Sequence, residues 1–207
     1  MYVLCQTFRG RNGKELTRKG FIALCRLEEF ESHVVLPHEK THAQPREDRF
    51  RLFKATNANM SQVFALYSDP EGAVQYLMSG LLDTRPSAEI VFERVDNRMW
   101  KLHDEKAIEQ IRSITQTKQV LIADGHHRYE TALAYRDWMR SQNPHHTGDE
   151  PYNSIMMYFT NVDEEGLVIL AKLEQHFILH EYKDKESLLA ALSSSPVVAF
   201  GLTLQGG

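Results

Sequence analysis

The chain is poor in cysteine, in long apolar stretches and in excess positive charge, and each shortage excludes a class of protein. Only Cys5 and Cys25 occur among 207 residues, which excludes a small secreted scaffold held together by several disulfides. Both lie in apolar, strand-like runs, so we expect buried free thiols in a reducing compartment rather than a disulfide. No apolar run approaches the roughly 20 residues that a membrane-spanning helix needs.

The charge balance limits the partners. The formal net charge is -4 and the isoelectric point is about 6.2, so a broad basic surface for duplex nucleic acid is not expected, although a local basic groove remains compatible. The first residues, Met1 to Cys5, lack the basic and then apolar layout of a secretory signal peptide. We therefore expect a soluble, cytoplasmic protein without a membrane partner. The sequence leaves the oligomeric state open.

The chain does contain hydrophobic patterns that alternate between strand and helix spacing. With 42% hydrophobic and 25% charged residues, the composition is that of a globular protein rather than a disordered one. Strands are predicted at 2–8, 20–27, 34–37, 63–67, 90–94, 99–103, 118–123, 154–160, 167–171 and 197–204. Helices are predicted from Pro45, over 71–82, after an N-cap at Asp104, over 128–139 and over 184–193. A hairpin turn is predicted at Asp96-Asn97.

This mixture of hairpins and strand–helix alternation predicts an α+β or mixed α/β fold, with a mixed, largely antiparallel sheet and packed helices. The chain opens inside a predicted strand and ends at Gln205-Gly206-Gly207, which is typical of a hairpin turn without its return strand. We therefore expect residues 1–207 to form a single α/β domain that is a fragment of a longer protein.

The strongest candidate for a functional site is the turn Asp124-Gly125-His126-His127-Arg128, which follows a predicted strand and opens a predicted helix. Gly125 permits a tight turn and the close approach of another molecule. The N-terminus of a helix offers unpaired N–H groups and the positive end of a dipole, which suit an anion. Arg128 is able to grip a phosphate or carboxylate with two hydrogen bonds.

The other three side chains of this turn widen its chemistry. His126 and His127 are candidates for proton transfer or metal binding, and Asp124 for holding a divalent cation or orienting a histidine. Adjacent residues at a helix start point in different directions, so we expect only one of the two histidines to face a ligand. The alternative is a solvated loop in which Asp124 merely caps the helix.

A second polar group lies nearer the start of the chain: His38-Glu39-Lys40-Thr41-His42. It matches the H-E-x-x-H pattern of zinc proteases, but that chemistry needs a sustained helix, and Pro45 follows too soon. We interpret His38, Glu39 and Thr41 as residues of a loop that feeds a cleft, with Glu39 as a candidate general base or metal ligand. An exposed charged loop fits the pattern equally well.

Arg49, near the start of the next predicted helix, is a candidate for binding the same anion. The structural alternative, which the local sequence favours, is an ion pair between Arg49 and Glu47 or Asp48.

Four segments together closely resemble, in this order, the bacterial and archaeal domain-of-unknown-function family 1015: Pro37-His38-Glu39-Lys40-Thr41, Asp48-Arg49, Asn57-Ala58-Asn59 and Ile122 to Ala132. The resemblance covers nearly the whole chain and implies a longer protein, with further segments before Tyr2 and after Gly207. His42 lies outside the family pattern, which weakens the zinc-protease interpretation further.

Residues 118–140 combine a predicted strand, the motif Asp-Gly-x-His-Arg and a predicted helix. This arrangement is similar to the phosphate-binding box of the ParB and sulfiredoxin-like superfamily. That superfamily includes nucleotide-binding partition proteins, sulfiredoxins and free-serine kinases. This resemblance implies a nucleoside phosphate on the glycine turn, with Mg²⁺ bridging its oxygens and with Glu39 as the base on an acceptor hydroxyl. The implied phosphate-binding residues are Gly125, His127, Arg128, Thr41 and Arg49. The further catalytic candidates are His38, Asp124 and His126, and the candidate Mg²⁺ ligands are Asp124 and Glu39.

Three functions remain open at this point. The leading expectation is a nucleotide-dependent phosphotransferase or nucleotide hydrolase that acts on a small-molecule phosphate ligand. The second is a nucleotide-sensing binding module without turnover. The third is a metal-dependent hydrolase that uses His38, Glu39 and His42, or the His126–His127 pair.

Overall fold

A computed structural model of the chain describes residues 1–10, 13–37, 43–164, 170–172 and 201–203. Eight strands form the central sheet: β1 Tyr2–Arg9, β2 Glu15–Arg26, β3 Val35–Leu36, β4 Val63–Tyr67, β5 Ala88–Phe92, β6 Val95–Lys101, β7 Val120–Asp124 and β8 Ser154–Asn161. Four helices are present in the described residues: α1 Ala43–Thr56, α2 Ala73–Leu82, α3 Glu105–Thr115 and α4 His126–Gln142. Two short 3-10 turns lie at Phe30–Ser32 and Pro151–Asn153. A separate antiparallel pair joins β9 Leu170–Lys172 to β10 Gly201–Thr203.

The sheet order is β3-β7-β4-β8-β2-β1-β6-β5. The β3–β7 and β4–β8 pairs are parallel, and the other five neighbouring pairs are antiparallel. The predicted α+β fold with a mixed, largely antiparallel sheet is therefore confirmed. None of the four helices just named is long and apolar enough to cross a membrane.

The core divides between the two faces of the sheet because successive strand residues point in opposite directions. Along β4, Val63, Ala65 and Tyr67 belong to the main apolar cluster, whereas Phe64 and Leu66 belong to a smaller one on the other face. All five residues of β4 are buried, as the continuous apolar run predicts for a central strand. The main cluster takes its helical members from three helices: Val74, Met78, Ala107, Ile111, Tyr129, Ala132 and Leu133.

The predicted hairpin exists, but its predicted turn at Asp96-Asn97 is wrong. The turn lies at Glu93 and Arg94, whose φ angles of 48° and 65° are left-handed, and Asp96 and Asn97 lie inside β6. Asn97 pairs with Gln6 of β1, and its side-chain oxygen accepts a hydrogen bond from Gln6 Nε2 at 2.8 Å. Pairing with two neighbouring strands outweighs the local turn preference of Asp-Asn.

Both cysteines are free thiols, as predicted, although only Cys5 is fully buried and Cys25 is half-buried. Burial raises the pKa of each thiol to about 11. The predicted helix 184–193 lies outside the described residues.

Candidate functional site

The Asp124–Arg128 turn has the strand–glycine–helix form that the sequence predicts. β7 ends at Asp124, Gly125 is left-handed with a φ of 95°, and α4 begins at His126. The Gly125 carbonyl accepts hydrogen bonds from the N–H groups of Arg128 and Tyr129, at 2.9 and 3.0 Å. A glycine at this position supplies the left-handed conformation without the strain of a Cβ atom.

The start of α4 differs from that of α3. At α3, the Asp104 carboxylate accepts from the N–H groups of Lys106 and Ala107, at 2.9 and 3.3 Å, which confirms the predicted cap. At α4 the N-cap residue is Gly125, which has no side chain, so the cap position itself supplies no carboxylate of the kind found at α3. The positive end of the α4 dipole is therefore not neutralised from the N-cap position.

Arg128 folds back over this turn. Its Nη2 donates to Asp124 Oδ2 at 2.7 Å, and its Nη1 donates to the Gln62 carbonyl oxygen, which lies just before β4. A Cβ atom on Gly125 would lie 3.2 Å from the guanidinium carbon of Arg128, so the glycine also makes room for this side chain. Asp124 is thus an ion-pair partner of Arg128 rather than the helix cap that the alternative interpretation supposed.

The two histidines lie in different surroundings, as expected for neighbours at a helix start. His126 is buried in the protein. His127 is half-buried, and its Nδ1 atom is shielded from solvent and has no hydrogen-bond partner among the residues that the structure describes. A shielded nitrogen that lacks a partner costs about 1–3 kcal/mol, so His127 is the histidine with an unmet hydrogen-bonding capacity. The burial of His126 disfavours a surface metal site made by the pair.

A cleft joins this turn to α1. It is lined by Arg49, Leu52, Phe53, Ala58, Met60, Ser61, Arg128 and Ile155, has a cavity volume of about 30 Å³ and is otherwise open to solvent. Arg49 and Arg128, which are far apart in the sequence, therefore line the same cleft. Glu47, one of the two partners suggested for Arg49, accepts a hydrogen bond from Arg51 at 2.6 Å.

The loop between α1 and β4 forms one side of the cleft. Asn57 is left-handed with a φ of 49°, and its N–H closes α1 by donating to the Phe53 carbonyl at 2.8 Å. Its side-chain oxygen accepts a hydrogen bond from the Tyr135 hydroxyl of α4. This contact holds the loop against α4, so the cleft is built before any ligand binds. The sequence singled out residues 57–59 only through the family resemblance and gave no role to Gln62 or Ser61.

Arg128 also has a structural role that it shares with other arginines of α4. Arg136 is buried, donates to the Leu27 carbonyl at 3.2 Å and pairs with Glu29. Arg140 donates to the Asn153 side-chain oxygen at 2.8 and 3.1 Å. Leu27 follows β2, and Asn153 precedes β8. The arginines of α4 thus hydrogen-bond to residues at the ends of several strands, and Arg128 bonds in this way to Gln62.

Four residues singled out in the sequence lie outside the described residues: Glu39, the predicted base; His38, a further catalytic candidate; Thr41, a predicted phosphate-binding residue; and His42, from the metal-dependent alternative. Their neighbour Pro37 follows β3, which runs parallel to β7, so Pro37 lies toward the same edge of the sheet as Asp124. Within the described ranges, no group of three or more His, Cys, Asp or Glu side chains is arranged to hold a metal ion.

A larger cavity, of about 300 Å³, lies toward the opposite ends of β4 and β7. Its walls are mostly apolar, and its one cation, among the residues that the structure describes there, is Lys118. Lys118 donates to the Ser68 carbonyl at 2.8 Å and lies 3.7 Å from Asp69. The described walls of this cavity offer one cation, whereas the smaller cleft offers two arginines, so the smaller cleft is the better anion site.

Comparison with known protein families gives a match over the full length of the chain. The family model described as "Protein of unknown function (DUF1015)" matches residues 1–207. No curated protein and no solved structure matches the chain. Because the family match extends over the whole chain, the protein belongs to the DUF1015 family, whose function is unknown.

Proposed function

We propose that this chain binds the phosphate group of a small molecule, foremost a nucleoside phosphate, in the cleft at the start of α4. We further propose that it uses this site for phosphoryl transfer or nucleotide hydrolysis. One observation carries the proposal: Arg49 and Arg128 line the same cleft, beside a helix start whose N-cap residue is a glycine. Two guanidinium groups and a helix N-terminus together suit a multiply charged anion.

The contacts of Arg128 indicate how an anion would enter. The Asp124 carboxylate occupies one edge of the guanidinium, and this carboxylate is 64% exposed. A phosphate that displaced this carboxylate would pair with the partly buried guanidinium of Arg128. Asp124 would then turn toward solvent or toward a metal ion. His127 Nδ1 has no hydrogen-bond partner among the described residues. It is therefore a further hydrogen-bond donor or acceptor at the turn, according to the tautomer of the imidazole.

The residues present fit Mg²⁺ in a limited way. Asp124 supplies one carboxylate near the proposed phosphate, and Mg²⁺ commonly uses one or two carboxylates together with phosphate oxygens. When bound, Mg²⁺ would neutralise charge on the phosphate oxygens. Glu39 stays the proposed base for the acceptor hydroxyl. The similarity of residues 118–140 to the ParB and sulfiredoxin-like box supports a nucleoside phosphate over other anions.

A nucleotide-sensing module without turnover is the second candidate. The Asp124–Arg128 ion pair favours it, since a bound phosphate would open this pair and thereby couple ligand binding to the conformation of the turn. Nucleotide consumption distinguishes the two candidates: product released in proportion to enzyme and time supports catalysis, whereas saturable binding without product supports sensing.

Thermal unfolding with ATP, ADP, CTP and GTP, each with Mg²⁺, tests the binding site. A ligand at about 100 times its dissociation constant adds about 2.7 kcal/mol to the free energy of unfolding. Arg49→Ala should remove the nucleotide-induced shift with little change in the stability of the ligand-free protein, because Arg49 is exposed. The matched control is Arg112→Ala, which removes an exposed arginine of α3 and should leave the shift intact.

Arg128→Ala should also remove the shift, but it cuts a strand-end contact and is therefore the less clean variant. A full nucleotide shift in both Arg49→Ala and Arg128→Ala would refute the proposed site.

A further inference from the structure

The cleft has an apolar side that the binding of phosphate alone does not explain. Leu52 and Met60 line it, yet 47% and 67% of their surfaces are exposed. Phe53 completes this wall and is only partly buried. Single exposed apolar residues are ordinary on protein surfaces, but two exposed residues and the partly buried Phe53 that converge on one cleft beside two arginines form a distinct surface.

This wall is held in place by packing behind it. The ring of Phe53 lies 5.4 Å from that of Tyr135, centre to centre, and Tyr135 also donates to the Asn57 side chain. The wall therefore rests on α4, the same helix whose start carries Arg128. Met60 adds an unbranched, polarizable side chain that adapts to the shape of a bound group.

We propose that the cleft binds both ends of a nucleoside monophosphate unit: the nucleobase packs on Leu52, Phe53 and Met60, and the phosphate meets Arg49 and Arg128. This inference rests on the proposed phosphate site and adds the base to it. It predicts that the base contributes to affinity and that removing the apolar wall weakens only ligands that carry a base.

Isothermal titration calorimetry of the full chain tests this division with three ligands: inorganic phosphate, ribose 5-phosphate and the best of the four nucleoside 5′-monophosphates. Packing of a base on apolar and aromatic side chains should make the nucleotide bind about tenfold more tightly than ribose 5-phosphate. The double variant Leu52→Ser/Met60→Ser should abolish this tenfold difference and leave the affinity for ribose 5-phosphate unchanged. Tyr76→Ser is the control, because Tyr76 is an exposed apolar residue of α2 outside the cleft, and it should change neither affinity.

The outcomes separate this inference from the proposed function. Equal affinities of the nucleotide and ribose 5-phosphate for the wild type would overturn the base site while leaving the phosphate site in place. A tenfold preference that survives in the Leu52→Ser/Met60→Ser variant would overturn it too, since the base would then lie elsewhere. If none of the three ligands binds, both the phosphate site and the base site are refuted.

Discussion

Replacing Asp124 by asparagine should strengthen the binding of anions. In the ligand-free chain the Asp124 carboxylate pairs with Arg128 Nη2 at 2.7 Å, on the guanidinium that we assign to the phosphate. Asp124→Asn keeps the size of the side chain and removes its negative charge. The guanidinium then loses its competing partner, and the incoming phosphate no longer approaches a carboxylate.

The structure sets the size of this effect. Asp124 is 64% exposed and lies one helical turn from Arg128, so the ion pair belongs to the solvent-exposed class that contributes about 0.2–1 kcal/mol. At most this free energy is returned to the ligand, which corresponds to an increase in affinity of about 1.5- to 5-fold. Salt should shrink the increase, because exposed charges are screened.

The assay is a titration of ADP into metal-free protein, so that any metal bound by Asp124 does not enter the comparison. The control is Asp137→Asn: Asp137 is 61% exposed, pairs with Arg136 of the same helix at 2.8 Å and does not line the cleft. We expect tighter binding in Asp124→Asn and none of this gain in Asp137→Asn. Unchanged or weaker binding of ADP to Asp124→Asn without metal would refute competition between Asp124 and the ligand.

Three further predictions concern the fold and its thiols. Gly125→Ala should lower the free energy of unfolding by about 1–2 kcal/mol, because a φ of 95° strains any residue with a Cβ atom. Gly80→Ala in α2 should raise it by about 0.5–1 kcal/mol, because a Cβ atom at Gly80 would have no neighbour within 4 Å and alanine favours the helix. Equal effects in denaturant titrations would contradict this. Asp104→Ala should cost about 1 kcal/mol in the same assay, and a neutral result would show that the cap adds nothing. Since the pKa of Cys5 and Cys25 is raised from 9.0 to about 11, iodoacetamide at pH 8 should modify the folded protein about a hundredfold more slowly than the unfolded chain, and similar rates would refute the burial of the thiolate.

Local sequence patterns predicted the elements in which the local conformational preference of the residues matches their place in the fold. The strand Val63–Tyr67 is a short apolar run in the middle of the sheet, and its predicted bounds are those of β4. The cap at Asp104 and the glycine turn at Gly125 follow from side-chain and backbone chemistry within a few residues. In such places the local preference and the tertiary structure require the same conformation.

The sequence failed where a distant partner decides the outcome. β2 begins at Glu15 rather than at position 20, because its first residues pair with the end of β1. The hairpin turn moves to Glu93 and Arg94 because Asp96 and Asn97 are needed for pairing with β1. The residues within a short stretch of sequence do not indicate which distant strand they will pair with.

The candidate site shows the same division. The turn and its arginine could be predicted from adjacent residues, whereas the cleft could not, because its two cations lie 79 positions apart at 49 and 128. Arg128 donates to the backbone carbonyl of Gln62, and such a contact cannot be predicted from the type of residue at position 62. The packing of α1 on α4 brings Arg49 and Arg128 together.

The central claim is that an anion binds at the start of α4, and backbone amide chemical shifts test it most directly. On titration of ADP into isotope-labelled protein, the amides of Gly125, His126 and His127 should shift in a saturable manner. Those of Lys106 and Ala107, at the carboxylate-capped start of α3, should stay in place and serve as the internal control. If the amides of the Gly125 turn do not move while ADP binds, or if both helix starts move alike, the anion is not held at α4.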